Sequence, residues 1–580
     1  MSENILTILI FSPLVALVMV LLLPSNLKKA YPWISLVVTG IQLLIACSII
    51  LQGGDIIQTG VNVENQFQLI EKHPWLQISM GAFGNFSINY FVGMDGLNSS
   101  MMLLSSIILF IAAISAFEIK TKTKGFHALF LLLNTSINGC FLALDFFLFY
   151  LFFEFMLLPM YFLIGIWGGV RREYASIKFF IYTLAGSVLI LIVMIGLYTS
   201  VIDPTATAVK TGLAQNIQEV TDSQRIQVQE MLLNGTLSSE DYVRTFDMIS
   251  MMDAKNYIPN SVFFKGNLNS FFGENARLIA FLLLVIGLAI KLPAVPVHTW
   301  LPDAHVEAPT CISVVLAGIL LKIGGYGILR IPYSIFPEGA IHFAWWLGLG
   351  GVIAIVYAAF VALGTHNLKK MIAYSSISHM GFVLLGIASL TAEGVNGAIY
   401  QMFSHGIISG MLFLVAGVLY YRTKDLEIEH YKGISSKMPI YSALVTIAFF
   451  ASLGLPGFSG FIAELFVFLG AFQSHEVNNL LPAWMAITAT LGLILGAAYY
   501  LWTLQRMFLG NFWSRNESKI FSDVTSRELA MLIPLAVISL ILGIFPKLLL
   551  DLFEPSVAYF VDFIQETGKQ NLEIIFQANN

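Results

Sequence analysis

The chain has 580 residues, of which 57% are hydrophobic and only 11% charged; an ordinary soluble domain is about 25% charged. That balance excludes a soluble multidomain enzyme and predicts an all-α polytopic membrane protein. Thirty basic and 35 acidic residues leave a net charge of −5, too small to argue for a nucleic acid or an acidic ligand.

Residues 1–23 are apolar, but Glu3 stands where a signal peptide carries basic residues. No small-residue cleavage site precedes Lys28 and Lys29, so the segment reads as a retained first helix. About fourteen apolar runs are long enough to cross roughly 30 Å of hydrocarbon. They lie near 5–23, 32–51, 97–117, 126–144, 146–167, 176–201, 277–297, 309–330, 341–363, 371–390, 396–420, 439–471, 482–507 and 528–550.

Alternate short loops carry the basic residues: Lys28 and Lys29, Lys120 to Lys124, Arg171 and Arg172, Lys369 and Lys370, Arg422 to Lys437, and Arg506 to Lys519. These loops are expected inside and both termini outside. The intervening loops are nearly free of basic residues, apart from Lys72, Arg330 and one long loop. That loop, 203–276, is an outer polar insertion. Its capping boxes, Thr221-x-x-Gln224 and Ser238-x-x-Asp241, flank the helix stop Asn234-Gly235 and predict a short helical hairpin. It reads as a tolerated surface insertion, with partner docking as the alternative.

Cys47, Cys140 and Cys311 are scattered through separate apolar runs, and no phosphate- or dinucleotide-binding glycine loop is present. The chain is therefore expected to hold no redox centre, metal or nucleotide of its own. Gly324-Gly325-Tyr326-Gly327 reads as helix packing.

Four charges fall inside apolar runs: Glu154, Lys291, Lys322 and Glu464. Each costs about 2.5–3.5 kcal/mol at a helix centre, so each must pair, face the protein interior or line water. Lys291 precedes Leu-Pro-Ala-Val-Pro, whose two prolines break the helix. Glu464 follows Gly454-Leu-Pro-Gly-Phe-Ser-Gly460, a second interruption. Broken helices at membrane depth line a cavity or are buried in protein, and two of them in two halves of a chain point to an inverted-repeat transporter core. His379, in Ser375-Ser-Ile-Ser-His-Met-Gly381, and His405, in Gln401-Met-Phe-Ser-His-Gly406, sit in polar stripes and can relay protons. His298, Asp303, His305 and Glu307 could resemble a metal site. Pro302, Pro309 and the helix-end position favour instead an inner-surface turn held by local hydrogen bonds.

These stretches resemble one family: Phe153-Glu154 to Tyr161 and Trp167-Gly-Gly, Lys291 to Pro309, Leu321-Lys322, Ser375 to Gly381, Ser404-His-Gly406 and Gly457 to Glu464. They are similar to the antiporter-like proton-pumping subunits of respiratory complex I (NADH–quinone oxidoreductase), over nearly the whole chain. The resemblance implies about fourteen transmembrane helices, with two inverted five-helix repeats and two discontinuous helices. Residues 1–125 would form helices 1–3. Residues 126–330 would form the first repeat, helices 4–8, with the insertion 203–276. Residues 331–510 would form the second, helices 9–13, and 511–580 the last helix and a short C-terminal tail. The insertion is longer than the family pattern suggests, and the long lateral helix of the largest sister subunit is absent.

By the same resemblance Glu154 is the fifth-helix glutamate paired with the seventh-helix lysine, Lys291. Lys322 is the central lysine, Glu464 the acidic end of the path, and His379 and His405 are family histidines. A proton would pass from Lys291 by water to Lys322, along the histidines, and out near Glu464. Electron transfer in other subunits would drive it. NAD, FMN, Fe–S clusters and quinone are then implied in partner subunits, with sister antiporter-like subunits alongside in a bacterial inner (plasma) membrane. A Mrp-type cation/proton antiporter subunit is the alternative, though most such relatives carry lysine where this chain has Glu464. A purely structural membrane subunit is the third reading.

Overall fold

A computed structural model describes residues 4–52, 67–79, 85–265, 275–515 and 521–578. The N-terminal part comprises α1 (Ile5–Leu22), α2 (Ala30–Gln52), the hairpin β1 (Gln68–Ser79) and β2 (Asn85–Met94), and α3 (Gly96–Ser115). Glu71 on β1 is buried and accepts the Leu6 and Thr7 amides of α1 at 2.8 and 3.0 Å. A carboxylate there satisfies helix-end donors and opposes the positive end of the helix dipole.

The next group is α4 (Thr123–Leu142), α5 (Phe146–Phe155), α6 (Leu157–Trp167) and α7 (Arg172–Ser200). The insertion follows, with α8 (Pro204–Lys210), α9 (Asp222–Leu233) and α10 (Met248–Met252). Then come α11 (Ala276–Lys291), α12 (Trp300–Glu307), α13 (Thr310–Val315) and α14 (Leu321–Ile328). The second half holds α15 (Pro337–His342), α16 (Ala344–Leu363), α17 (Leu368–Ser389), α18 (Ala392–Thr423), α19 (Pro439–Ser452) and α20 (Ser459–Val477). It closes with α21 (Ala483–Ala489), α22 (Leu491–Phe508), α23 (Ser526–Ile544), α24 (Lys547–Leu550) and α25 (Glu554–Ala578).

Among the described residues, 12 helical segments are long and apolar enough to cross a membrane unaided. The two expected spans missing from that group, 277–297 and 439–471, are the interrupted ones. The helix α11 ends at Lys291, before Pro293 and Pro296, and the chain becomes helical again only in α12. The second break lies between α19 and α20, where Gly454 and Gly457 take φ of +74° and +100°, a region that disfavours residues with a Cβ. The span at 310–333 is continuous, but π-helical turns at Leu316–Leu320 and Leu329–Tyr333 flank α14. Pro332 in the second turn has no N–H to donate, which an ordinary α-turn cannot absorb without loss.

The basic loops cluster on one face. Arg171 lies by Glu307, Lys178 bonds Asp303, Arg422 bonds Glu528 and Arg527 contacts Glu118. The hairpin, insertion, α15 and α25 meet on the other face, through Lys72–Asp247 at 2.8 Å and Arg277–Glu338 at 2.5 Å. The helices pack closely: a Cβ on Gly287 of α11 would lie 2.6 Å from the Gly186 carbonyl of α7, the close backbone approach that small residues allow in membranes.

Two expectations on the opposite face need correction. The Thr221 capping box forms and Asn234-Gly235 ends α9, but Ser238 opens only a three-residue 3-10 turn, so the two boxes do not frame a helical hairpin. The segment instead folds around its own small core of Ile202, Ala208, Val228, Leu232 and Leu237. Nor do residues 554–578 form a tail, since α25 packs along α15 and reaches α3 and α18. Lys265 at the end of the insertion bonds Asn571 of α25 at 2.5 Å. Burial, with Arg277 nearby, pushes that lysine down to about 8. Thr221→Ala is expected to cost about 1 kcal/mol of α9 stability, the usual worth of an N-cap. Amide hydrogen exchange confined to α9 would show it, with no change elsewhere.

Candidate functional site

The four ionisable residues from Lys322 onward meet in one buried line. Lys322, on α14 between the two π-helical turns, is 0% exposed. Its ammonium donates to the Ala317 carbonyl and to His405 Nδ1 at 2.8 Å. The His405 ring on α18 lies 5.3 Å from that of His379 on α17. His379 Nδ1 in turn lies 3.5 Å from Glu464 Oε1 on α20. All of them are buried.

Local sequence explains the convergence. Gln401 and His405 are four apart on α18, so they share a face, as do Ser375 and His379 on α17. The break before α20 exposes space that Glu464 fills. A Cβ at Gly454 would lie 2.3 Å from Glu464 Oε2, so the missing side chain is what admits the carboxylate. Ser404 donates to Ser459 at 2.7 Å, tying α18 to the start of α20.

His379 has two sets of partners. Its Nδ1 lies 3.0 Å from Gln401 Nε2 as well as 3.5 Å from Glu464, and Nε2 lies 3.3 Å from Ser452 Oγ. Accepting from Gln401 requires the tautomer with its proton on Nε2; donating to Glu464 requires the other. One ring can therefore exchange protons on either side. From Ser452 a hydroxyl chain continues to Tyr500 at 2.7 Å and to Ser375 at 2.9 Å. The sequence showed Ser375 within a polar stripe, but nothing in it singled out Ser452 or Tyr500.

Glu154 and Lys291 stand apart from this line and do not form the expected ion pair. The Lys291 ammonium donates to the Phe153 carbonyl at 3.2 Å and lies 3.4 Å from the Phe153 ring centroid. Glu154 Oε1 is buried without a hydrogen-bond partner. The carboxylate is near enough to act on the ammonium through space, but the two groups are not in contact. Leu292, next to Lys291, packs on Gly324 and Gly325: a Cβ at Gly324 would lie 2.5 Å from the Leu292 nitrogen. The glycine run read as helix packing does pack, against the broken end of α11.

The dense group after that break also reaches other helices. Asp303 bonds Lys178 of α7 at 2.8 Å, and Glu307 accepts from the Arg171 amide at 2.9 Å. His305 stacks on Phe413 at 4.2 Å. These long-range contacts join local bonds such as Leu301 N to the His298 carbonyl at 3.0 Å and Ser313 Oγ to the His305 carbonyl at 3.2 Å, because α12 lies against α7 and α17.

Sequence reasoning also missed a fully buried ion pair. Arg330 bonds Asp95 at 2.6 Å, and both side chains are 0% exposed. Both lie at the ends of apolar runs, where a charge looks like a loop residue.

The family model described as "NADH:quinone oxidoreductase/Mrp antiporter, TM" matches residues 143–239 and 245–496. A protein of Rhodobacter capsulatus named NADH-quinone oxidoreductase subunit M is 38% identical over 563 residues, 96% of each chain. A chain of respiratory complex I from Thermus thermophilus superposes with a TM-score of 0.73 at 27% identity, covering 96% of this chain and 99% of that one. A chain of the Mrp complex from Dietzia shares the fold, with a TM-score of 0.71 at 21% identity over 98% and 100% of the two chains.

Proposed function

The chain belongs to the NADH:quinone oxidoreductase/Mrp antiporter transmembrane family, and from that premise we propose how its residues move a proton. It is a multi-pass membrane protein, a proton-translocating membrane-arm subunit of NADH:quinone oxidoreductase. The observation that carries the residue assignment is the buried line Lys322–His405–His379–Glu464. Such a row of ionisable groups is costly in a membrane unless it serves transport.

In this reading Lys322 passes its proton to His405 Nδ1 along the 2.8 Å hydrogen bond. His379 receives it and delivers it to Glu464, and the Ser375–Tyr500–Ser452 hydroxyls form a side branch to the same imidazole. Glu154 and Lys291 form the switch that precedes Lys322. A carboxylate near an ammonium stabilises its charged form, and withdrawal of the carboxylate favours proton release. Lys291 resting on Phe153, one residue from Glu154, is the arrangement in which the pair is open. Water carries the proton from Lys291 to Lys322 past Leu292. The two helix breaks are the corresponding points of two inverted repeats, 126–330 and 331–510.

Moving one charge against 100 mV costs about 2.3 kcal/mol, so the drive comes from electron transfer in partner subunits. Those partners carry NAD, FMN, Fe–S clusters and quinone. Cys47, Cys140 and Cys311 sit on α2, α4 and α13 as free thiols. The partners include sister antiporter-like subunits, and the membrane is a bacterial inner membrane. The related cation/proton antiporters share this fold, and the carboxylate of Glu464 favours the oxidoreductase reading over theirs.

Glu154→Ala or Lys291→Ala is expected to leave assembly largely intact, stop proton pumping and slow coupled quinone reduction. Measuring NADH-driven acidification of inverted membrane vesicles tests this; a full gradient at unchanged turnover in either variant would sink the assignment. Co-purification of flavin- and iron–sulfur-bearing subunits with the chain separates the oxidoreductase from a free-standing antiporter.

A further inference from the structure

A second polar line runs through the membrane interior on α2, α3 and α4, and the relay does not use it. Ser35 on α2 meets His127 on α4, Oγ to Nδ1 at 3.0 Å. Further along the same two helices, Gln42 and Asn134 exchange bonds of 2.7 and 3.2 Å. Asn138 donates to Asn134 at 2.8 Å, and Ser105 of α3 donates to Asn138 at 2.8 Å. At the far end Asn98 of α3 and Tyr326 of α14 both donate to the Phe141 carbonyl, at 3.2 and 2.9 Å. Arg330 completes the line, donating from Nε to the Tyr326 hydroxyl at 2.9 Å and from Nη2 to Asp95 at 2.6 Å.

Most of this seam cannot conduct protons. Carboxamides have no acidic proton to pass on, and Gln42 and Asn134 are locked in mutual bonds. Interhelical bonds of this kind hold membrane helices together. What the seam ends on is the helix of the central lysine. Lys322, Tyr326 and Arg330 are spaced four apart and share one face of that helix.

Arg330 also lies inside the second π-helical turn, Leu329–Tyr333. A π-turn holds one surplus residue, and shifting that residue rotates the neighbouring helix by about 100°, the angle per residue of an α-helix. A rotation of that size would carry the Lys322 ammonium away from His405.

We propose that Arg330 is a positioning residue for Lys322: its guanidinium, forked between Tyr326 and Asp95, fixes the rotation of α14 and so aims the lysine at His405. The inference rests on Lys322 being a relay member. Asp95 is fixed in turn by the capping box at the start of α3, so the N-terminal helices set the register of the relay helix. Simple charge neutralisation of Asp95 would need a cation there but no fork.

Two variants in the intact membrane complex separate these roles. Arg330→Lys keeps the cation beside Asp95, but a single ammonium cannot reproduce the planar fork to both partners. Tyr326→Phe keeps the shape and removes only the hydroxyl. The readouts are protons translocated per NADH oxidised, the pH profile of pumping, and the amount of assembled complex. Each variant is expected to lower the proton ratio about three-fold or more and displace the pH profile, at an unchanged amount of complex. A normal ratio in either assembled variant overturns the proposal, as does less complex with a normal ratio. If Arg330→Lys does not assemble, Tyr326→Phe decides alone. Lys322→Met serves as the control: normal pumping in it defeats the relay reading itself, whereas its loss beside a normal Tyr326→Phe defeats only the positioning role.

Discussion

Lys322→Met is expected to reduce proton translocation by at least about ten-fold, which corresponds to roughly 1.4 kcal/mol or more on the barrier, while the chain still folds and assembles. Loss of function and loss of stability part company here for a physical reason. The ammonium is fully buried, and its partners are the Ala317 carbonyl and His405. Replacing buried charges with apolar side chains of similar size is often neutral or stabilising by about 1–4 kcal/mol. Leaving the two acceptors without a donor costs about 1–3 kcal/mol. The effects nearly cancel. Methionine fills the stem but offers neither a proton nor a donor. Dye quenching in inverted vesicles reports the pumping, and the thermal midpoint of the purified complex reports the stability. A normal gradient would remove Lys322 from the path; a collapsed complex would show that the lysine is structural.

Glu464 provides the second large effect, and three substitutions distinguish its roles. Glu464→Gln keeps the shape that fits beside Gly454 and can still bond His379, but it cannot take up a proton. Its pumping should fall about as far as that of Glu464→Ala, at least ten-fold, or roughly 1.4 kcal/mol. Glu464→Lys should be milder than either, because an ammonium can also carry the terminal proton. Proton-to-electron ratios measured on the three variants test this. A glutamine variant that pumps normally would make the carboxylate a packing group, and equal losses in alanine and lysine would count against a relay role.

The buried line was legible in the sequence because a charge inside an apolar run has no ordinary reason to be there. Lys322, Glu464 and the two histidines stood out on that ground, and the structure joins them. The same test fails at the ends of runs: Asp95 and Arg330 look like boundary residues yet are fully buried. It fails also for Ser452 and Tyr500, since hydroxyls cost little in a helix and leave no mark in hydropathy. Contact between Glu154 and Lys291 depends on where a broken backbone points the lysine, which spacing cannot reveal. The insertion misled for a different reason. The Ser238 box has the right residues, but its segment is pinned by Asp203 N to the Val243 carbonyl at 2.8 Å, and this tertiary bond overrides local helix capping. The helix breaks and the glycine packing around Lys291 followed from proline and glycine chemistry, and they stand as read.

The bond between Glu71 and the start of α1 bears on how the chain is made. The acceptor lies 65 residues after the Leu6 amide it serves. At about 5–20 residues per second, the ribosome needs roughly 3–13 s to supply it. Until then the first helix has unsatisfied amides at its leading end, and its final seat depends on delivery of the hairpin to the same side of the membrane. The helix α1 is therefore made before the carboxylate that completes it, and it can lock in place only once the hairpin has followed.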